Sequence, residues 1–435
     1  MSLFEAFAEA ARRQPRRPAL RRGDEAMDLG QLLARAEAMA DALAAAEEGG
    51  PIPLDAGDPL ALAAGFFAAR RAGRTAVVHA EAVPPLLRHE REERLRALLP
   101  ARSDETVFFS SGSVSRGKAI PLSGDRILFS ALAYPERVGL RPDDRVAVCV
   151  PAGQIFGFVR GIVNSLLVGA ESIFFAPRRD PLAEADARGA SFALLPPAHL
   201  SLSAQAGGRL GLRGALTAGG PLAEAAAARI EGERGVAVRF GYGLTETTAL
   251  GSRQHFDRPR RSGSCGPPAP GLTFTITDAD GAALAPGESG EIRIAGRTVF
   301  RGYADPAEAS PFDAAGRLRT GDLGFLDDAG EVHVRGRISE SIRAHGRFLC
   351  AEEVEEALME KAGVREAAAV PLGDSFGLLL AADDASESFL EEVRAHVSER
   401  LPLFARPRRL RRADAIPRTP AGKLDRRAAA RWFES

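Results

Sequence analysis

Val107-Phe108-Phe109-Ser110-Ser111-Gly112-Ser113-Val114-Ser115-Arg116-Gly117-Lys118-Ala119-Ile120-Pro121-Leu122 sets an apolar run on each side of a loop of small, hydroxylated residues that closes on a lysine. Small residues let backbone N–H groups approach phosphate oxygens. The hydroxyls of Ser110, Ser111 and Ser113 add donors beside Gly112, and Lys118 adds charge, so the loop suits a polyphosphate. Gly112 to Lys118 also fits the GxxxxGK spacing of a P-loop, a motif that continues with a magnesium-holding Ser or Thr and opens a helix. Here Ala119 follows, and Pro121 argues against a continuous helix. A strand-loop-strand hairpin is therefore expected, against a P-loop NTPase. A Ser/Gly-rich surface loop is the plain alternative.

Outward from the loop, helical patterns at Leu29 to Ala45 and Leu60 to Arg71 alternate with short β-branched or aromatic runs. Those runs are Thr75 to His79, Val107 to Phe109, Val146 to Val150 and Ser172 to Phe175, and the alternation predicts α/β layering. Pro221 marks a helix start and Gly232 and Gly235 its end, with Val236 to Phe240 a buried strand entering a glycine-rich turn. From Gly290 to Gly336, turn signals such as Asp328-Ala329-Gly330 predict a small β region. Then come a helix from Glu352 to Lys361, a strand near Ala367 to Val370, a helix from Ser386 to Leu401 and a basic, Pro-rich tail. The expected fold is α/β: a large N-terminal domain of layered mixed sheets and helices with a small β region (1–338), plus a small mobile α+β C-terminal domain (339–435).

At 435 residues the chain is too long for one ordinary core. Its 57 Lys plus Arg balance 58 Asp plus Glu, which gives no global field to gather nucleic acid or anionic membrane. Cys149, Cys265 and Cys350 form neither a disulfide framework nor a zinc pattern, and a cytoplasmic location fits them. Met1 to Pro15 lacks signal-peptide order and is expected to be an amphipathic helix. The most apolar long stretch, Ile155 to Ala176, is interrupted by Arg160, Asn164 and Glu171, so no membrane span is expected.

Four further segments follow the loop: Ala218-Gly219-Gly220-Pro221-Leu222, Gly241-Tyr242-Gly243-Leu244-Thr245-Glu246-Thr247, Thr320-Gly321-Asp322-Leu323-Gly324 with Gly336-Arg337, and Pro417 to Arg426 around Gly422-Lys423. In that order and approximate spacing they resemble the adenylate-forming superfamily of acyl-CoA synthetases, peptide-synthetase adenylation domains and luciferases. The resemblance covers most of the chain from Val107 onward. It implies ATP- and Mg²⁺-dependent activation of a carboxylic acid, aryl or medium acyl, to an acyl-adenylate with release of pyrophosphate. Thioester formation with CoA, or with the phosphopantetheine of a carrier protein, would follow.

By the same resemblance Ser110, Ser111, Gly112, Ser113 and Lys118 clamp the β- and γ-phosphates, with Gly219, Gly220 and Gly243 also at the nucleotide. Tyr242 stacks on adenine, Thr245 touches the α-phosphate and Glu246 helps to hold Mg²⁺. Asp322 accepts from the ribose hydroxyls and Arg337 is a second nucleotide contact. Lys423 is the catalytic lysine, with a chemical reason: a carboxylate attacking the α-phosphorus brings two anions together, and a mobile cation offsets the repulsion. Ser339 is the expected hinge, and Gly346 lines the pantetheine tunnel. The acid is expected against Gln154, Phe156, Ala218, Gly219 and Gly243.

Several positions depart from the family pattern. The loop commonly reads Thr-Ser-Gly-Ser-Thr-Gly-x-Pro-Lys in relatives, so Val114, Ser115 and Gly117 stand where threonine, glycine and proline are usual. A lost hydrogen bond to a charged group costs about 1.5–3 kcal/mol. Gln154 stands where many CoA ligases place histidine. The loop also arrives early, so an abridged N-terminal subdomain is expected. A carrier-loading adenylation enzyme, a catalytically weakened nucleotide-binding protein and a P-loop NTPase are the competing readings. The run Arg406, Arg408, Arg409, Arg411 and Arg412 can grip CoA phosphates or an acidic carrier, although such a run is ordinarily a solvated face.

Overall fold

The computed structural model describes residues 1–46, 50–80, 83–110, 117–133, 139–220, 222–344, 347–373, 375–384, 386–400, 406–418 and 424–434. The chain opens with helix α1 (Leu3–Arg13), where the Ser2 hydroxyl accepts from the Glu5 N–H and the Glu5 carboxylate accepts from the Ser2 N–H. Strands β1 (Pro18–Arg22) and β2 (Glu25–Asp28) lead into α2 (Leu29–Ala45), capped in the same reciprocal way by Asp28 and Gln31. There follow β3 (Ile52–Asp55), α3 (Pro59–Arg71), β4 (Ala76–His79), α4 (Pro85–Leu98), β5 (Glu105–Phe109), β6 (Ala119–Ser123) and α5 (Gly124–Leu132). Four of these strands form a sheet in the order β3-β4-β5-β6, parallel except for β6. β6 returns antiparallel to β5 with Val107 opposite Pro121, the hairpin expected from the proline. Pro121 is tolerated because β6 is an edge strand.

A second sheet is built from β7 (Arg145–Val148), β8 (Glu171–Phe174), β9 (Phe192–Leu195), β10 (Gly214–Ala218), β11 (Ala237–Tyr242) and β12 (Ser252–Arg253). With β1 and β2 its order is β12-β11-β10-β9-β7-β8-β1-β2, parallel from β11 through β1 and closed by an antiparallel strand at each edge. Every residue of β8 and β9 is buried, as a parallel sheet covered on both faces requires. After β7 the chain enters a π-helical segment, Gly157–Asn164. Phe158 on it meets Phe66 of α3 and Phe108 of β5 edge-on, with ring centroids 4.8 and 5.1 Å away. These rings join the two sheets; burying each contributes roughly 1.5–3 kcal/mol.

A small sheet follows, β13 (Leu272–Thr277), β14 (Gly290–Gly296), β15 (Leu318–Leu326) and β16 (Val332–Arg337), in sequence order. Beyond it lie the hairpin β17 (Ile342–Ala344) and β18 (Arg347–Leu349), a helix Ala351–Met359, β19 (Val364–Pro371), β20 (Phe376–Ala382) and a helix Glu387–Arg400. The segment read as a basic tail is more ordered than its composition suggested. It supplies β21 (Arg409–Arg412), parallel to β20, and a helix Arg426–Ala430. Buried Ala429 and Phe433 anchor it, and the ring of Phe433 crosses Gly377 where any side chain would clash.

By backbone contacts the chain divides into two compact units, Met1–Thr273 with Ala295–Phe312, and Phe274–Ile294 with Asp313–Ser435. The expected hinge residue, Ser339, lies inside the second unit on the one-turn segment Ile338–Glu340. Contacts across it explain that grouping: Arg347 pairs with Glu288 at 2.7 Å, and the Cys350 thiol lies 3.6 Å from the Arg335 carbonyl oxygen.

Candidate active site

Parallel strands bring their carboxyl ends to one edge of a sheet, and ligands gather there, above all where strand order reverses. In the second sheet the order reverses at β7, whose neighbours are β8 and β9. The segment leaving that strand carries Gln154, exposed, and Phe156, half-buried. β10 and β11 run side by side with Ala218 opposite Gly241, so the turn at Gly219 and Gly220 adjoins the turn at Tyr242 and Gly243. Gly243 sits close to its neighbours: a Cβ there would stand 3.2 Å from the backbone of Ala249, tighter than ordinary contact. In the first sheet the phosphate-loop candidate leaves the carboxyl end of β5. Its base is closed by Ser110, whose N–H donates to the Lys118 carbonyl at 3.0 Å and whose hydroxyl accepts from the Lys118 N–H at 3.1 Å.

Thr245 and Glu246 occupy a one-turn 3-10 segment, Thr245–Thr247, after β11. The Tyr303 hydroxyl donates to Glu246 Oε1 at 3.3 Å, and the Phe300 N–H donates to the Glu246 carbonyl at 2.8 Å. Burial, and then the Glu246 charge, push the Tyr303 hydroxyl well above its ordinary value, so it remains a neutral donor. The ammonium of Lys118 lies 4.5 Å from the centre of the same ring and 3.5 Å from Glu308. Tyr303 thus joins the expected metal-holding carboxylate to the expected phosphate-binding lysine. The sequence reading missed it; an aromatic in the short run Arg301-Gly302-Tyr303 carried no motif.

Behind this turn, Thr248 and Ala249 both take positive φ, 56°, a strained conformation for residues with a side chain. Their carbonyls are held by a buried clamp. Arg160, 1 % exposed, donates to the Ala249 carbonyl at 2.8 Å and to the Ser130 carbonyl at 2.7 Å. The Ser130 hydroxyl, which accepts from Arg160 at 2.9 Å, donates to the Thr248 carbonyl at 2.7 Å. Arg160, met in the sequence as a charge excluding a membrane span, fixes the backbone beside Thr245 and Glu246.

In the second unit Asp322 on β15 stands opposite Arg337 on β16, with Arg337 Nε 3.0 Å from Asp322 Oδ1. Asp322 is 5 % exposed, and its N–H donates to the Thr320 hydroxyl at 3.0 Å. Of the remaining expected residues, Ser111, Gly112, Ser113, Gly346 and Lys423 lie outside the described residues, as do Val114 and Ser115. Gly117 is described. Its φ of +63° explains why the proline usual in relatives is absent here, since proline is fixed near −65°.

Among the described residues no group of three or more His, Cys, Asp or Glu could hold a metal ion. A single carboxylate, Glu246, suits Mg²⁺, which keeps water and phosphate oxygens around one or two protein ligands, and does not suit a caged metal.

The AMP-binding enzyme family model matches residues 89–304, and the AMP-binding enzyme C-terminal domain model matches residues 353–423. The chain belongs to this family. It is 28% identical over 359 residues to 4-coumarate–CoA ligase-like 2 of Arabidopsis thaliana, covering 77% of this chain and 62% of that protein. It is 28% identical over 329 residues to a 2-succinylbenzoate–CoA ligase of Enterococcus faecalis, covering 73% and 67%. The matches thus span about three fifths to two thirds of the curated relatives' length. The structure of o-succinylbenzoate CoA synthetase from Bacillus subtilis, in complex with an acyl-adenylate intermediate, superposes with a TM-score of 0.73 at 22% identity, over 99% of this chain and 98% of that one, so the two share a fold. Among the described residues no helix is long and apolar enough to cross a membrane.

Proposed function

We propose that the protein activates a carboxylic acid with ATP and Mg²⁺ to an acyl-adenylate, releases pyrophosphate, and transfers the acyl group to CoA. The observation that carries the reading is the Tyr303 cluster, which sets the Glu246 carboxylate and the Lys118 ammonium about one aromatic ring. A carboxylate for a magnesium ion and a cation for phosphates are what the chemistry needs within reach of one triphosphate. Magnesium bound there would neutralise phosphate charge. Tyr242 offers its ring to adenine, Thr245 its hydroxyl to the α-phosphate, and Asp322 its carboxylate to the ribose. Lys423 meets the charge that grows as the acid attacks.

The relatives' names, 4-coumarate–CoA and 2-succinylbenzoate–CoA ligase, support CoA as acceptor and an aryl acid as substrate. Small Ala218 and Gly219 beside the nucleotide turn leave room for a flat ring. We further propose that 339–435 acts as a mobile lid on the larger domain 1–338, turning at Ser339 between the two half-reactions, because an acyl-adenylate left open is lost to water. The test is acid-dependent pyrophosphate release across aryl and aliphatic acids, each with CoA and with a phosphopantetheinylated carrier protein. Release with an aryl acid and a CoA thioester supports the reading, and Lys423→Ala should abolish release. Transfer to the carrier alone would replace CoA. ATP hydrolysis to ADP without acid would sink the ligase.

A further inference from the structure

Strands β11, β10, β9 and β7 lie side by side in that order. The segment leaving β9 therefore stands between the expected nucleotide turns, after β10 and β11, and Gln154 and Phe156, expected at the acid, after β7. It touches the first of those turns: a Cβ on Gly220 would stand 3.6 Å from Pro197 Cγ. It then forms the short helix Pro197–Ser203, whose Leu200 packs with Ala147, Leu195 and Ala215 on one face of the sheet. The π-helical segment Gly157–Asn164 covers the other face, where a Cβ on Gly161 would stand 2.8 Å from Val148 Cγ1. Side chains alternate along a strand, so Ala218, three residues from Ala215, lies on the π-helical face, and Phe156 opens that segment. An acid held by Phe156 and Ala218 lies on that side, and a nucleophile arriving while it is held comes from the side of Pro197–Ser203. His199 sits half-buried in the first turn of this helix. Its Nδ1 is buried without a hydrogen-bond partner, and among the described residues no hydrogen bond or ion pair holds the ring. Burial holds the imidazole below its ordinary value, so it is neutral and able to accept a proton.

We propose that His199 receives the acceptor thiol and takes its proton during acyl transfer. The inference deepens the adenylation reading and rests on it. In that half-reaction the thiol sulfur bonds to the acyl carbon, the bond from that carbon to the AMP oxygen breaks, and the electron pair leaves with AMP. The thiol proton passes to the imidazole. A thiol is mostly protonated at neutral pH while its thiolate is the nucleophile, so a neutral base at the point of attack speeds the step. A carboxylate has no proton to lose, so adenylation makes no demand on this base and the two half-reactions separate its role.

The test measures the two half-reactions of the full chain separately. One is pyrophosphate release with the fastest acid of the panel; the other is single-turnover acyl transfer from the bound adenylate to CoA or to thiophenol, which is largely ionised at mildly alkaline pH. For H199Q, transfer to CoA is expected to fall about 100-fold or more, the scale of general-base catalysis, while pyrophosphate release changes by less than about threefold. Transfer to thiophenol should fall far less, because its proton is already gone. Melting temperature checks folding; should H199Q fold poorly, H199A with added imidazole takes its place, and recovery of CoA transfer is the expected result. Equal loss with both thiols, equal loss in both half-reactions, no loss, or no recovery with imidazole overturns the role of His199 and leaves adenylation standing. A wild type that releases no pyrophosphate with any acid overturns the adenylation reading along with it.

Discussion

Glu246 combines a charge with a hydrogen bond from Tyr303, and substitutions separate the two. Glu246→Gln keeps the shape and removes the charge, and is expected to slow pyrophosphate release by about 100-fold or more, the scale of losing one preorganised electrostatic partner. Tyr303→Phe removes only the hydroxyl that orients the carboxylate and is expected to cost about 3- to 10-fold, on the scale of one net hydrogen bond. A pyrophosphate-release assay at saturating acid checks the ranking; equal rates in Tyr303→Phe and wild type would remove Tyr303 from the site.

At the scale of elements, the turn after β11 is held by a side chain from another segment. Arg160→Met keeps much of the volume but strips donors from the carbonyls of Ser130 and Ala249, so a stability loss of about 2–4 kcal/mol is expected in denaturant unfolding. Catalysis by any correctly folded fraction should also fall, because Thr248 and Ala249 would relax toward ordinary φ. The first sheet carries a pH signature. His79 at the end of β4 is buried, and burial, then Arg88 and Arg91, pull it down to about 4. An unfolded histidine titrates near 6.5, so the unfolded chain takes up the proton first and stability falls as pH drops from about 6.5 towards 4. The loss is on the order of 3 kcal/mol. Subtracting the unfolding profile of His79→Leu from that of the wild type isolates this contribution; a flat difference would show that His79 is not held neutral.

For the whole molecule, the proposed two-step reaction requires the C-terminal portion to serve two states. Ser339→Pro fixes φ at the proposed hinge. Acid-dependent pyrophosphate release is therefore expected to persist within about threefold while CoA thioester formation falls by about tenfold or more. Single-turnover assays of the two half-reactions separate these, and equal slowing of both would argue against a hinge there. The grouping of Phe274–Ile294 with Asp313–Ser435 shows that the small sheet packs with the segment that follows it.

The alternation of helical and β-branched runs, the proline that turns the loop into a hairpin, and the five ordered motifs were legible because each depends on local spacing. The tail was misread because β21 and its following helix are stabilised by remote partners, Gly377 beneath Phe433 and β20 beside Leu410, which composition does not encode. The supporting residues of the candidate site were illegible for the same reason. Arg160 and Tyr303 lie far in sequence from Ala249 and Glu246, and only folding makes them neighbours. The sequence by itself determined the fold class and the family, since these follow from residue type and spacing. Tertiary structure alone decided which side chains hold those residues in place, because such contacts exist only once separate strands have brought their carboxyl ends together.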